Sequence, residues 1–136
     1  MHYILDACAI IALLKNEAGA DEVSVKINEA FKGRVKISIN KLNLLEIYYD
    51  VYRSVDKATA DKIVFELKAR PITIVSEITD AVFAEAGRLK ATYKISLADS
   101  IALAEASVAG GSLMTADHHE FDFIEKRESI KFHWIR

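Results

Sequence analysis

Four carboxylates in this chain stand where acids do chemistry in an α/β fold. Asp6 ends the short apolar run Tyr3-Ile4-Leu5, and the apolar helix pattern of Ala7 to Leu14 starts immediately after it. Glu46 lies in the helical stretch after a second strand. Asp99 lies in the first turn of an Ala-rich helix, and Asp117 follows the strand Ser112-Leu113-Met114-Thr115. Each is embedded in apolar sequence, where an ionised carboxylate is costly unless something compensates it. Four of them gathered at one sheet edge would repel one another. One or two Mg2+ or Mn2+ ions would resolve that, because hard cations take oxygen ligands. Such a site lowers the pKa of water, orients a phosphate and stabilises in-line displacement.

Each acid also has a plain structural use. Asp6 can cap the first helix. Glu46 can sit on a solvated face, although Asp50, four residues on, makes a like-charge pair that Arg53 could relieve. Asp99 fits a capping box with Ser96. Asp117 can be an ordinary turn residue. What favours the shared role is their joint fall at strand ends and first turns, since independent caps need not all be acidic.

The elements that must position these acids follow from periodicity. A helix runs from Ala7 to about Asn16, and a second starts at Asp21-Glu22 and ends at Gly33. Arg34 to Ile39 alternates with period two, as a strand with one buried face does. Asn40 caps a long helix to about Arg53 that carries Tyr48, Tyr49 and Tyr52, and Asp56 caps the next. Pro71 to Val75 is the third strand. Ser76 caps a helix with the stripe Ile78, Val82, Ala86, Leu89 and Tyr93. Ser96 to Gly110 is apolar almost all round, which predicts a helix buried at the centre. Ser112 to Thr115 and Ile130 to Ile135 are the last strands. Strands alternating with helices predict an α/β fold, with a mainly parallel sheet of about five strands and helices on both faces.

Composition narrows the classes. The chain has 136 residues, 51% hydrophobic and 28% charged, with a net charge of −2. That excludes a disordered chain and offers no large basic footprint for nucleic acid. No run approaches the ~20 apolar residues of a membrane helix. The start lacks a basic leader, and Cys8 is the only cysteine. A single cytoplasmic domain over residues 1–136 is the expectation. His118-His119 reads as solvated loop rather than a zinc site, and Cys8 as a small buried hydrophobe. The tyrosines read as core packing or, more sharply, as a dimer or partner surface.

Leu5-Asp6-Ala7-Cys8-Ala9-Ile10-Ile11-Ala12-Leu13-Leu14 resembles the opening of PIN-domain ribonucleases. Asn43-Leu44-Leu45-Glu46-Ile47 resembles their second motif. Ser96-Leu97-Ala98-Asp99-Ser100-Ile101-Ala102-Leu103-Ala104 is similar to the third, the most specific. Leu113-Met114-Thr115-Ala116-Asp117, with Phe121 beyond, is similar to the fourth. The resemblance covers essentially the whole chain, and the length fits VapC-type toxins of toxin–antitoxin pairs. It implies a three-layer α/β/α sandwich, a homodimer, Mg2+- or Mn2+-dependent cleavage of RNA, and inhibition by a small antitoxin. By the same resemblance Asp6, Glu46, Asp99 and Asp117 are the catalytic, metal-holding acids. Thr115 and Asn43 would support them by hydrogen bonding, and Asp122 is a possible fifth acid.

Other readings remain open. One is a catalytically idle PIN-like binding module. Another is an α/β phosphatase with Asp6 as nucleophile, which lacks an acid two residues later. A response-regulator-like module would need an acid where Ile74-Val75-Ser76 stands.

Overall fold

The first strand, β1 (His2–Leu5), lies in the middle of the sheet and sorts the core into two halves. The computed structural model describes residues 1–136. After β1 come α1 (Ala7–Leu14), α2 (Ala20–Phe31), β2 (Lys36–Asn40), α3 (Lys41–Ser54), α4 (Lys57–Lys68) and β3 (Thr73–Val75). The chain continues through α5 (Asp80–Thr92), α6 (Leu97–Ala109), β4 (Ser112–Thr115), α7 (His118–Glu125) and β5 (Lys131–Trp134). The strand order is β3-β2-β1-β4-β5, and every pairing is parallel.

Successive residues of a strand point to opposite faces. Tyr3, Leu5, Ile37, Ile39 and Met114 pack under α1, α2, α3 and α4. Ile4 and Leu113 pack under α5, α6 and α7. The result is the three-layer α/β/α sandwich, with β1 and β4 buried on both faces. Chain order reverses beside β1: β2 and β3 build out one way, while β4 and β5 build out the other. In open α/β sheets the crevice beyond the strand ends at such a reversal is where ligands bind.

Several expectations change in detail. β2 is not a one-faced strand. Ser38 and Asn40 are buried on the second face, where His2 Nε2 meets Ser38 Oγ at 2.7 Å and Asn40 Nδ2 donates to Glu105 Oε1 at 2.9 Å. Pro71 lies outside β3. Thr79 rather than Ser76 caps α5, accepting from Val82 N at 3.2 Å, so Ile78 precedes the helix and is exposed. Asn40 Nδ2 also reaches Glu77 O, which keeps that segment in a connection. α6 buries Ile101 through Ala104 and Ala106, but Leu97 and Val108 are exposed, so it is not apolar-enclosed all round. His118-His119 is not loop. It begins α7, capped by Asp117, and the His118 ring stacks on Trp134 of β5 at 3.8 Å. Tyr49 and Tyr52 are exposed rather than core.

Gly110 and Gly111 end α6 for different reasons. Gly110 has φ +63 in open space, as a helix C-cap does. A Cβ on Gly111 would lie 2.5 Å from the His2 carbonyl oxygen and 2.9 Å from Ile4 Cδ1. Gly111→Ala should therefore force β4 off β1 and cost about 1–3 kcal/mol, while Gly110→Ala should cost about 1 kcal/mol. Denaturant midpoints of the two variants measure this, with Gly111→Ala expected to be the more damaged.

Candidate functional site

Pairing of Leu5 with Met114 puts the next residues, Asp6 and Thr115, level across the β1–β4 crevice. Asp6 is buried. Its Oδ1 accepts from Ala9 N at 2.9 Å, which caps α1, and its Oδ2 accepts from the Thr115 hydroxyl at 2.6 Å. The Thr115 oxygen in turn accepts from Asp117 N at 3.1 Å. One hydroxyl thereby ties the acid after β1 to the acid after β4. Asp117 Oδ1 accepts from Glu120 N at 3.1 Å and opens α7.

Asp99 and Glu46 arrive from above. Ser96 Oγ accepts from Asp99 N at 3.1 Å, so the capping half of the expected box forms. Asn43, fully buried one turn before Glu46, donates from Nδ2 to Ala98 O at 3.0 Å. That bond fastens α3 to the start of α6 beside Asp99. Asn43 Oδ1 is buried without a partner, which is an acceptor the fold leaves unfilled.

Asp6, Glu46, Asp99 and Asp117 all line one cavity of about 370 Å³. Glu17, Asp50 and Glu120 line it too, and no lysine or arginine does. Sequence reasoning did not assign these three to the site. Glu120 was signalled by Asp117-x-x-Glu120 ahead of Phe121 and Ile124, a capping pattern followed by helical apolar spacing. Asp122 lies outside the wall and pairs with His118 at 2.7 Å.

The electrostatics follow from this crowding. Burial pushes the Asp6 carboxyl up to about 7, and the charges of Asp99 and Asp117 add to that. The bonds from Thr115 and Ala9 oppose it. Burial lifts Asp99 to about 6, with Glu46, Asp117 and Glu120 adding to it and Ser96 opposing. Glu46 is raised by burial and by Asp50. Burial also raises the Cys8 thiol to about 11, and Asp6 adds to it, so Cys8 is no ready nucleophile. No three Asp, Glu, His or Cys side chains converge closely enough to hold an ion as they stand. The chemistry of the wall nevertheless fits one: Arg53 pairs with Asp50 at 3.1 Å and Arg136 with Glu17 at 3.7 Å, but Asp6, Glu46, Asp99 and Asp117 have no lysine or arginine partner, and carboxylate oxygens under mutual repulsion match a hard divalent ion.

A comparison with protein-family profiles matches residues 3–126 to the PIN domain. The chain belongs to the PIN domain family. Solved structures agree on the PIN fold. The chain is similar to one in VapBC2 from Rickettsia felis, solved bound to a promoter DNA fragment, with 18% identity over 98% of each chain and a TM-score of 0.77. It is similar to one in DNA-bound VapBC from Salmonella typhimurium, with 15% identity over 100% of this chain and 99% of that one, TM-score 0.76. It is also similar to one in VapBC-1 from nontypeable Haemophilus influenzae, with 18% identity over 99% and 98%, TM-score 0.74. At such identities the likeness carries the fold. No curated protein matches the sequence. No helix is long and apolar enough to cross a membrane.

The raised acids of this PIN domain give a pH dependence with a definite sign. The folded protein holds protons on Asp6 and Asp99 that the unfolded chain releases near pH 4. The stability these protons contribute to the metal-free protein is therefore fully present below about pH 4 and is lost progressively as pH rises from there to the folded values of about 6 and 7. Lifting one buried carboxyl from 3.8 to about 7 corresponds to roughly 4 kcal/mol across that window. Thermal melts in EDTA should give a higher Tm at pH 5 than at pH 8. Asp6→Asn should flatten most of that slope.

Proposed function

We propose that this chain is a divalent-metal-dependent endoribonuclease, the VapC-type toxin of a toxin–antitoxin pair. The observation that carries this reading is the cavity at the β1–β4 crevice, walled by carboxylates and free of lysine and arginine. A wall of that kind repels a phosphodiester unless a cation intervenes. Asp6, Glu46, Asp99 and Asp117 would hold Mg2+ or Mn2+. A bound ion would supply charge neutralisation at the phosphate and make water a competent nucleophile at neutral pH.

The chain's own groups do the rest. Thr115 and Ala9 N hold both oxygens of Asp6 in one orientation. Asn43 keeps Glu46 against Asp99 through Ala98 O, and the Ser96 hydroxyl holds the first turn of α6 that carries Asp99. These supports fix the angles from which the acids act. Glu46, Asp99 and Asp117 are less buried than Asp6 and line the cavity with it.

The phosphatase reading needs a free carboxylate nucleophile. Asp6 is buried with both oxygens committed, and position 8 is Cys8. Those observations favour the nuclease. The family and the solved toxin–antitoxin complexes, one from Klebsiella pneumoniae among them, support a small antitoxin as partner. The whole of residues 1–136 would act as one cytoplasmic nuclease domain. It would work as a homodimer, with Ile78, Phe83 and Leu97, exposed around one apolar cleft, meeting a second copy.

Cleavage of RNA should require Mg2+ or Mn2+ and stop with EDTA. Asp99→Asn should lower it about 100-fold or more, while leaving metal-free stability unchanged or higher because one like charge is gone. Metal at ~100 times its dissociation constant should stabilise wild type by about 2.7 kcal/mol. That is a rise in Tm of about 5–15 °C, most of which Asp99→Asn should lose. An Asp99→Asn protein that cleaves normally with a full metal shift would leave Asp99 a structural cap. A wild type that shows the metal shift but cleaves no RNA would be the idle binding module.

Sedimentation equilibrium should show a dimer at tens of micromolar (~10⁻⁵ M, the range of weak association), and Phe83→Glu should shift it to monomer. A wild-type monomer throughout would remove the dimer from this proposal.

A further inference from the structure

A second cavity, of about 380 Å³, adjoins the acidic one and differs from it in carrying aromatic and basic side chains. It lies between the α5–α6 connection and α7 and is lined by Tyr93, Lys94, Ile95, His119, Glu120 and Phe123, among others. Glu120 belongs to both walls. Among the larger cavities of the molecule, this is the one that shares a wall residue with the acids.

Its aromatic shelf is built before any ligand arrives. Phe123 is 54% exposed although it is a large apolar ring on a surface helix. Tyr93 meets it edge-to-face at 6.1 Å, and the Arg127 guanidinium lies 3.5 Å from its centroid. Tyr93 cannot swing away freely, because its hydroxyl donates to Glu128, which Arg88 holds at 2.7 Å. Lys94 and His119 are exposed at the cavity wall, and neither is engaged in an ion pair.

Single-stranded RNA is read by stacking its bases on aromatic rings and guanidinium planes while cations follow the backbone. The acidic cavity has a single aromatic ring on its wall, Tyr49, and no lysine or arginine. A strand whose phosphate lies among Asp6, Glu46, Asp99 and Asp117 must find its cations, and a platform for any further base, on adjoining surface. Resting on the nuclease reading above, we infer that the cavity between the α5–α6 connection and α7 is the subsite for the nucleotide next to the cleaved bond of a single-stranded RNA. Phe123, backed by Arg127, stacks the base. Lys94 and His119 meet the neighbouring phosphate. The shared wall at Glu120 makes the two cavities one continuous track.

The test uses the full-length chain and a fluorescein-labelled single-stranded oligoribonucleotide of about ten nucleotides, within the range of known single-strand sites. Affinity is read by anisotropy in Ca2+ over a salt series, and cleavage kinetics are read in Mn2+. Phe123→Ala should weaken binding about 5- to 150-fold. It should raise KM for the oligonucleotide in parallel and leave kcat within about threefold, the pattern of a lost binding contact. Phe123→Trp should retain wild-type affinity, because a larger ring still stacks. Lys94→Ala should lower the slope of log affinity against log salt by about 0.7. Both positions are exposed, so melting temperatures should stay near wild type. If wild type cleaves RNA while Phe123→Ala and Lys94→Ala bind and cleave as it does, the subsite is wrong and the nuclease reading stands. If wild type neither binds nor cleaves RNA, the nuclease reading fails and takes the subsite with it.

Discussion

The site depends on one buried carboxylate that the fold cannot easily leave charged. Asp6 ends the central strand with almost no solvent, and its two oxygens are claimed by Ala9 N and the Thr115 hydroxyl. Those two bonds favour the ionised form, yet burial outweighs them and lifts the group to about 7. A protein that wanted only a helix cap could use serine or asparagine at that position without such a cost. A carboxylate kept there despite burial, with Asp99 and Asp117 adding charge, marks a candidate functional site, and the proposed metal ion is what would relieve it.

The topology makes that gathering possible. Because every strand is parallel, all strand C-termini lie at one edge of the sheet. The reversal of order beside β1 opens the crevice there. Asp6 and Asp117 come from the two strands that flank it. Glu46 and Asp99 come from helices on opposite layers, α3 and α6, joined over the crevice by the Asn43–Ala98 bond. The wall therefore draws on four separate segments of chain, and each is fixed by a hydrogen bond of its own.

Much of this was legible in the sequence because the deciding signals are local. A strand that runs into a helix with one acid between them locates Asp6. Ser96 three residues before Asp99 locates the first turn of α6, and Thr115 two before Asp117 marks the strand end. What escaped depends on partners distant in sequence. Ser38 looks like the wet face of β2, and only His2 explains how it can be buried; Asn40 was legible as the cap of α3, but not its second bond, to Glu105. Ser76 and Thr79 are both plausible caps. Thr79 takes the cap, accepting from Val82 N, while the connection before it lies beside Asn40, 37 residues from Glu77. α7 was missed for a different reason. Its opening, His118-His119-Glu120, is polar, and its apolar stripe is short, with Phe121 and Ile124 alone buried. Glu120 was lost with it, although its spacing from Asp117 carried the signal.

The most direct measurement is a carboxyl-carbon NMR titration of Asp6, with and without Mg2+. In EDTA the resonance should titrate near 7. With saturating Mg2+ the titration should move below the ordinary carboxylate range, because a cation at the crevice favours the charged form. An Asp6 that titrates as an ordinary aspartate in EDTA, or whose titration does not move when Mg2+ is added, would contradict a metal centre built on this acid.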